Sequence, residues 1–187
     1  MSPGENLYFI ALIPSEEICN EITTFKQDFS NRFSSYAALK VMPHITLKAP
    51  FMLPYSKHLK LLEWFQKLYV QRNPFQIELR DFGAFHNIHS PVVFVNPVMN
   101  LPLYALQKEI IRSFRIAYPQ IGVLDIELKF KPHMTIAYRD LDPEIFIKAW
   151  EEYKVKKYQA VFEVKGFHLL QHDRKRWNII ETYFLDI

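Results

Sequence analysis

Pro43-His44-Ile45-Thr46-Leu47-Lys48-Ala49-Pro50-Phe51 returns half a chain later as Phe130-Lys131-Pro132-His133-Met134-Thr135-Ile136-Ala137-Tyr138-Arg139. The shared core is Pro-His-x-Thr, and 89 residues separate the two histidines, 44 to 133. Each copy lies in an extended stretch that follows a helix-patterned one, so the repeat reads as one lobe copied and set opposite itself. Strand alternation puts residues two apart on one face, with Cα atoms about 6.6 Å apart. His44 and Thr46 therefore share a face, as do His133 and Thr135. Ile45, Leu47, Met134 and Ile136 turn the other way, toward a core. The same parity carries Lys48 onto the first polar face, and Ala137 and Arg139 onto the second.

The surrounding pattern is mixed. Leu7 to Ile13 is a continuous apolar run closed by Pro14, which predicts a buried strand. Ser15-Glu16-Glu17 opens a helix reaching the 29–33 region, with Ile18, Ile22, Phe25 and Phe29 along one stripe. A second helix is expected from about Ser56 to Val70, then strands over 75–85 and 91–98. In the second half, Leu103, Leu106, Ile110 and Phe114 mark a helix over 101–118, and an extended stretch over 126–138 follows. Asp142-Pro143-Glu144 starts a short helix through about Tyr153. Stretches 158–171 and 177–185 close the chain as a hairpin around Asp173-Arg174-Lys175-Arg176. Interspersed strands and helices predict an α/β (α+β) fold with sheets covered by helices.

Composition narrows the chemistry. The 187 residues hold 49% hydrophobic side chains, 23% charged ones and a net charge of +3, a globular balance. A chain this long buries roughly 70% of its unfolded surface, enough to need no staple. One cysteine, Cys19, excludes an intrachain disulfide and zinc sites built on two or four cysteines, and fits a reducing compartment. The four glycines are scattered, which rules out the glycine-rich phosphate cradles of nucleotide-binding loops. No apolar run approaches the roughly 18 residues of a membrane span, and no basic leader precedes the first strand. The expectation is a cytoplasmic protein with no membrane partner and no obligate protein partner. His86 and His89 near Asp81 lack a third ligand in sequence and read as solvated surface, so no metal site is expected.

Two histidines facing each other across a groove supply both halves of acid–base catalysis, since an imidazole changes charge near pH 6.5. Phosphodiester cleavage needs that pair: a base to activate water and an acid for the leaving ribose oxygen. Threonine hydroxyls can donate to the non-bridging oxygens, where charge sits in the transition state. Neither a metal nor a cofactor is required by this chemistry. Lys48 and Arg139, as cations on the groove faces, are candidates for a phosphate tail, with solvated strand ends as the competing reading. Phe85, just before a polar loop, is a base-stacking candidate, with core packing as the other reading.

The paired His-x-Thr motifs and their flanks resemble the 2H phosphoesterase superfamily, in its 2′-5′ RNA ligase or cyclic phosphodiesterase branch. Gly83-Ala84-Phe85 followed by Pro91-Val92-Val93-Phe94-Val95 is similar to that family's middle strand pair. The order of elements matches from Leu7 to the last strand, so the likeness covers essentially the whole chain. It implies one bilobal domain over residues 1–187, with two pseudo-symmetric lobes, an antiparallel sheet in each and a cleft between them. It further implies metal-independent hydrolysis of 2′,3′-cyclic phosphates on RNA 3′ ends or small cyclic nucleotides. Some members join or open 2′-5′ linkages. His44 and His133 carry over as catalytic residues, and Thr46 and Thr135 as phosphate-binding ones. Met134, where another aliphatic is frequent, and Tyr138 ahead of Arg139 depart from the pattern and leave substrate choice open. The alternative is an RNA- or nucleotide-binding module that keeps the groove and turns nothing over.

Overall fold

The computed structural model describes residues 4–70 and 73–185. The chain opens with β1 (Glu5–Leu12), buried from Tyr8 onward, and α1 (Glu16–Phe33), whose inward stripe is Ile18, Ile22, Lys26, Phe29 and Phe33. A 3₁₀ turn over Ala37–Lys40 leads into β2 (Ile45–Pro54). Next come α2 (His58–Gln66), β3 (Phe75–Phe85) and β4 (Val92–Pro97). Then follow α3 (Leu101–Ala117), the short α4 (Asp125–Leu128) and β5 (Met134–Ala137). Last are α5 (Pro143–Tyr153), β6 (Gln159–Val164), β7 (Gly166–His172) and β8 (Trp177–Phe184). Asp142 caps α5, its carboxylate accepting from the Glu144 and Ile145 amides, as the Asp-Pro-Glu sequence predicts.

The strands form two antiparallel four-stranded sheets, ordered β2-β1-β7-β8 and β5-β4-β3-β6. This is the mixed α/β, two-sheet architecture expected. Its internal symmetry is explicit: β1-α1-turn-β2 and β4-α3-α4-β5 are the same path, strand to helix to helical turn to edge strand. Each edge strand begins one residue after its motif histidine. The helices are exchanged, with α1 packed on β5 and α3 packed on β2. Consequently Ile10 and Leu12 of one sheet belong to the same apolar core as Ile77, Leu79, Val93 and Val95 of the other.

Three stretches differ from the expectation, the first being the second helix, which stops at Gln66 short of Val70. Residues 126–138 are not extended throughout, because α4 occupies their start, with the Glu127 side chain accepting from the Leu124 amide. Residues 158–171 are not one strand: β6 belongs to the second sheet and β7 to the first, with only Lys165 between them. Alternation alone cannot reveal that crossing. Gly166 permits it, since a Cβ there would sit 2.5 Å from the Tyr183 carbonyl oxygen on β8. Gly166→Ala is expected to lower stability by about 1–3 kcal/mol through this overpacking, read as a fall in denaturation midpoint with unchanged m-value. A midpoint equal to wild type would show that the crossing tolerates a side chain.

Candidate active site

Both histidines are oriented by the same local device. The Nδ1–H of His44 donates to the Met42 carbonyl at 2.7 Å, and that of His133 to the Lys131 carbonyl at 2.8 Å. A carbonyl only accepts, so the proton of the neutral ring is on Nδ1 and Nε2 remains the basic nitrogen. The intervening Pro43 and Pro132, both buried, fix φ and shape the turn that bends each ring back onto its own chain. Packing completes the placement. His44 lies against Phe9 at 5.0 Å between centroids, and His133 against Phe85 at 5.0 Å and Phe94 at 5.5 Å. Phe94 in turn covers Gly83, where any Cβ would collide with its ring.

The two motifs line one groove of about 1160 Å³, which takes in His44, Thr46, His133 and Thr135 together. Thr46 pairs with Ala11 on β1 and Thr135 with Phe94 on β4, so both hydroxyls stand beside their histidines on the groove side of the sheets. The groove gathers more positive charge than the chain as a whole: Lys26, Lys40, Lys131, Arg139, Arg174 and Lys175 line it. Among its described lining residues the only carboxylate is Glu127, already ion-paired. Such a concentration of one sign attracts anions.

Lys48 is not part of that set, which corrects the expectation from strand parity. Thr46 faces Ala11 and Lys48 faces Ile10, leaving Leu47 as the extra residue of a bulge. One added residue reverses the side on which the next points, until a second register shift before Phe51. Lys48 therefore enters the core, 2% exposed, with its ammonium 2.8 Å from Glu127 Oε1 and 4.6 Å above the Phe114 ring. Phe85, half-buried, braces His133 at 5.0 Å and packs on Phe94 at 4.7 Å, contacts that favour the packing side of its two readings. Arg139 does reach the groove, exposed, from a left-handed turn (φ 63°) just past β5, and its guanidinium lies over Tyr138.

Two carboxylates set the halves against each other. Glu127, six residues ahead of the second histidine, accepts from Lys48 Nζ and the Ala49 amide of β2, each at 2.8 Å. Asp140, just past the second motif, accepts from Ser35 Oγ and the Tyr36 and Ala37 amides, each at 2.9 Å, ahead of the first motif.

Several groove residues lie outside the two His-x-Thr motifs. Lys26 is one; its signal is a charge within the buried stripe of α1. Trp177 and His172, 5.0 Å apart, form an aromatic wall, and Trp177 meets Phe9 edge-on at 4.5 Å. Arg174 and Lys175 of the hairpin turn border the groove because β7 neighbours β1. Tyr138 lines it too.

Depth in the protein governs the electrostatics. Burial pulls His44 down to about 4, against the opposing pull of the Met42 carbonyl, with the charges of Lys26 and His133 lowering it further. Burial also lowers His133, opposed by the Lys131 carbonyl. Both rings thus stand on the acid side of the 6.5 expected from composition alone.

Residues 14–176 match the family model described as the 2′-5′ RNA ligase superfamily. The chain belongs to that family, whose structural class is the 2H phosphoesterase. Among its relatives is a protein of Bacillus cytotoxicus, 28% identical over 178 residues that cover 94% of this chain and 95% of that one. Another, from Geobacillus kaustophilus, is 27% identical over 183 residues, covering 95% of each chain. Both are named provisionally as phosphoesterases. In fold, the chain resembles TT0787 of Thermus thermophilus, with a TM-score of 0.66 at 19% identity over 96% of this chain and 97% of that one. It also resembles E. coli LigT complexed with 3′-AMP, with a TM-score of 0.64 at 18% identity over 97% and 99%. Among the described residues no helix is long and apolar enough to cross a membrane.

Two measurements probe this geometry. Glu127→Ala strands a buried ammonium and is expected to cost roughly 3–5 kcal/mol in denaturant unfolding, while the double variant Lys48→Met with Glu127→Leu recovers most of it. A near-neutral Glu127→Ala would show that the pair does not hold β2. Stability also has a pH signature. A histidine lowered to about 4 in the fold takes its proton more readily when unfolded. Its contribution is therefore complete above pH 6.5 and is lost as pH falls from there through about 4. Melting temperature should drop across that window, and less steeply in His44→Gln; parallel slopes would contradict the burial of His44.

Proposed function

We propose that the protein is a phosphodiesterase that opens 2′,3′-cyclic phosphates on RNA 3′ ends or small nucleotides, using His44 and His133 as its acid–base pair. The observation that carries this reading is the convergence of two identically oriented imidazoles, each with a threonine beside it, on one cationic groove. One ring takes a proton from water through Nε2 while the water oxygen attacks phosphorus. The other gives a proton to the ribose oxygen as its bond to phosphorus breaks, leaving a phosphomonoester; the 2′-phosphate is the expected product. Thr46 and Thr135 donate to the non-bridging oxygens, where two hydroxyls stabilise charge that water would otherwise have to reorganise around. Arg139 supplies an exposed cation for a phosphate tail.

Groove size supports a substrate at least as large as a nucleotide. At about 1160 Å³ it exceeds the roughly 300–1,000 Å³ usual for small-molecule sites. The half-buried Trp177 offers an aromatic surface of the kind on which bases stack.

Incubation with 2′,3′-cyclic nucleotides and cyclic-phosphate-ended RNA, followed by product analysis, tests the reading. Wild type is expected to yield phosphomonoester, and His44→Ala or His133→Ala to lower kcat by at least about 10²-fold with the melting transition retained. Tight binding without product across substrate lengths would instead identify a binding module.

A further inference from the structure

Lys26 is a charge in an unusual place. It lies on the inward stripe of α1, 2% exposed, where its neighbours are Ile22, Phe29 and Phe33, and it reaches the floor of the groove. Its Nζ donates to the Val41 carbonyl at 2.8 Å, and among the described residues no carboxylate pairs with it. Val41 precedes Met42, the residue whose carbonyl orients His44. The other half of the molecule has a neutral counterpart. Gln107, buried on α3 and also lining the groove, donates to the Glu127 carbonyl ahead of the second motif. One half thus anchors its motif with an amide, and the other with a cation.

An ammonium held by one backbone carbonyl keeps two donors and most of its charge unspent. Burying it without a counter-ion is costly, and an entering anion would relieve that cost. We propose that Lys26 is a positioning residue for His44: it pins the Val41–Met42 segment that fixes the ring and holds that ring unprotonated until an anion enters the groove, so that phosphate binding and protonation of His44 are coupled. The proton comes from solvent, and no bond forms or breaks in this step. In the free protein the groove rejects extra positive charge; with a phosphate present the imidazolium is less disfavoured, which is the direction an acid–base pair requires. The coupling rests on the reading of this groove as a phosphodiesterase site for its catalytic consequence, though not for its physical one.

The charges facing His44 are consistent with this role. From α1 comes Lys26 and from just ahead of β5 His133, both of which disfavour its protonation. From β7 comes His172, and from the segments flanking the motifs and the β7–β8 hairpin come Lys40, Lys131, Arg139, Arg174 and Lys175. Glu127 of α4 is committed to Lys48. Cys19, on the same helix as Lys26, has its thiol pushed up by burial and provides no thiolate near neutrality. Burial lowers Lys26 itself to about 8, so it remains a cation at neutral pH.

The test is an NMR titration of the His44 imidazole in the full chain, with and without inorganic sulfate, which keeps a fixed double charge over the range. In wild type, sulfate should raise the His44 midpoint by about one pH unit or more. Lys26→Gln, which keeps a donor for Val41 and removes the charge, should raise the sulfate-free midpoint by about half a unit or more and move His133 less. Lys26→Arg should restore the wild-type midpoint. With a cyclic nucleotide as substrate, the acid limb of kcat/KM in Lys26→Gln should move upward with His44. A His44 midpoint unmoved by sulfate, or equal in wild type and a folded Lys26→Gln, overturns the proposal. Should Lys26→Gln fail to fold, Lys26→Met takes its place in the same titration, with the same raised sulfate-free midpoint expected and an unmoved one overturning the proposal. Absence of turnover on cyclic phosphates would count against the enzymatic reading alone, since the titration needs no substrate.

Discussion

Glu127 and Asp140 determine how the molecule's two halves meet. Each carboxylate lies in the second half and is spent on donors from the first: Glu127 on Lys48 and Ala49 beyond the first motif, Asp140 on residues 35–37 ahead of it. The first histidine is therefore bracketed on both sides by anchors from the opposite half. The exchange of α1 and α3 between the sheets adds an apolar counterpart to these polar ties. A buried ion pair is weak as a source of net stability, because desolvation offsets most of the attraction. Its value here is geometric: the alternative pairings of Lys48 or Glu127 would leave a charge unmet in the core.

With the halves fixed, the symmetric parts of the groove follow from short-range rules. A proline before each histidine, a carbonyl two residues back and a threonine two residues on repeat in both halves. The asymmetric parts give the groove its character. Lys26 has Gln107 as its opposite number, and the His172–Trp177 wall stands on the side of the first sheet only, because β7 and β8 extend that sheet beside β1. A duplicated frame thus carries a polarised site, with a buried cation on the His44 side and a neutral amide on the other.

Much of this is written locally in the sequence. The period of α1 and α3, the Asp142 cap, the hairpin around residues 173–176 and the two motif strands are all legible from residue type and spacing. So is the convergence of His44, Thr46, His133 and Thr135, because a repeat at half-chain distance implies facing copies. Failures fall where a nonlocal partner intervenes. Lys48 shares parity with His44 on paper, and only the pairing of β2 with β1 reveals the bulge at Leu47 that turns it inward. The break between β6 and β7 at Lys165 depends on which sheet each strand joins. Lys26 was readable in principle as a lysine on an apolar stripe, yet the stripe does not disclose that the carbonyl of Val41 is waiting there. The contact between Phe85 and His133 is equally out of local view, since the two are close in space but distant in sequence.

The central claim is that one phosphorus atom can lie between both rings. A crystal structure with inorganic vanadate bound would examine it most directly. The account predicts a single anion in the groove, within hydrogen-bonding distance of Nε2 of both His44 and His133, with the hydroxyls of Thr46 and Thr135 on its remaining oxygens. An anion bound to one ring alone, or imidazoles too far apart to share it, would contradict the account.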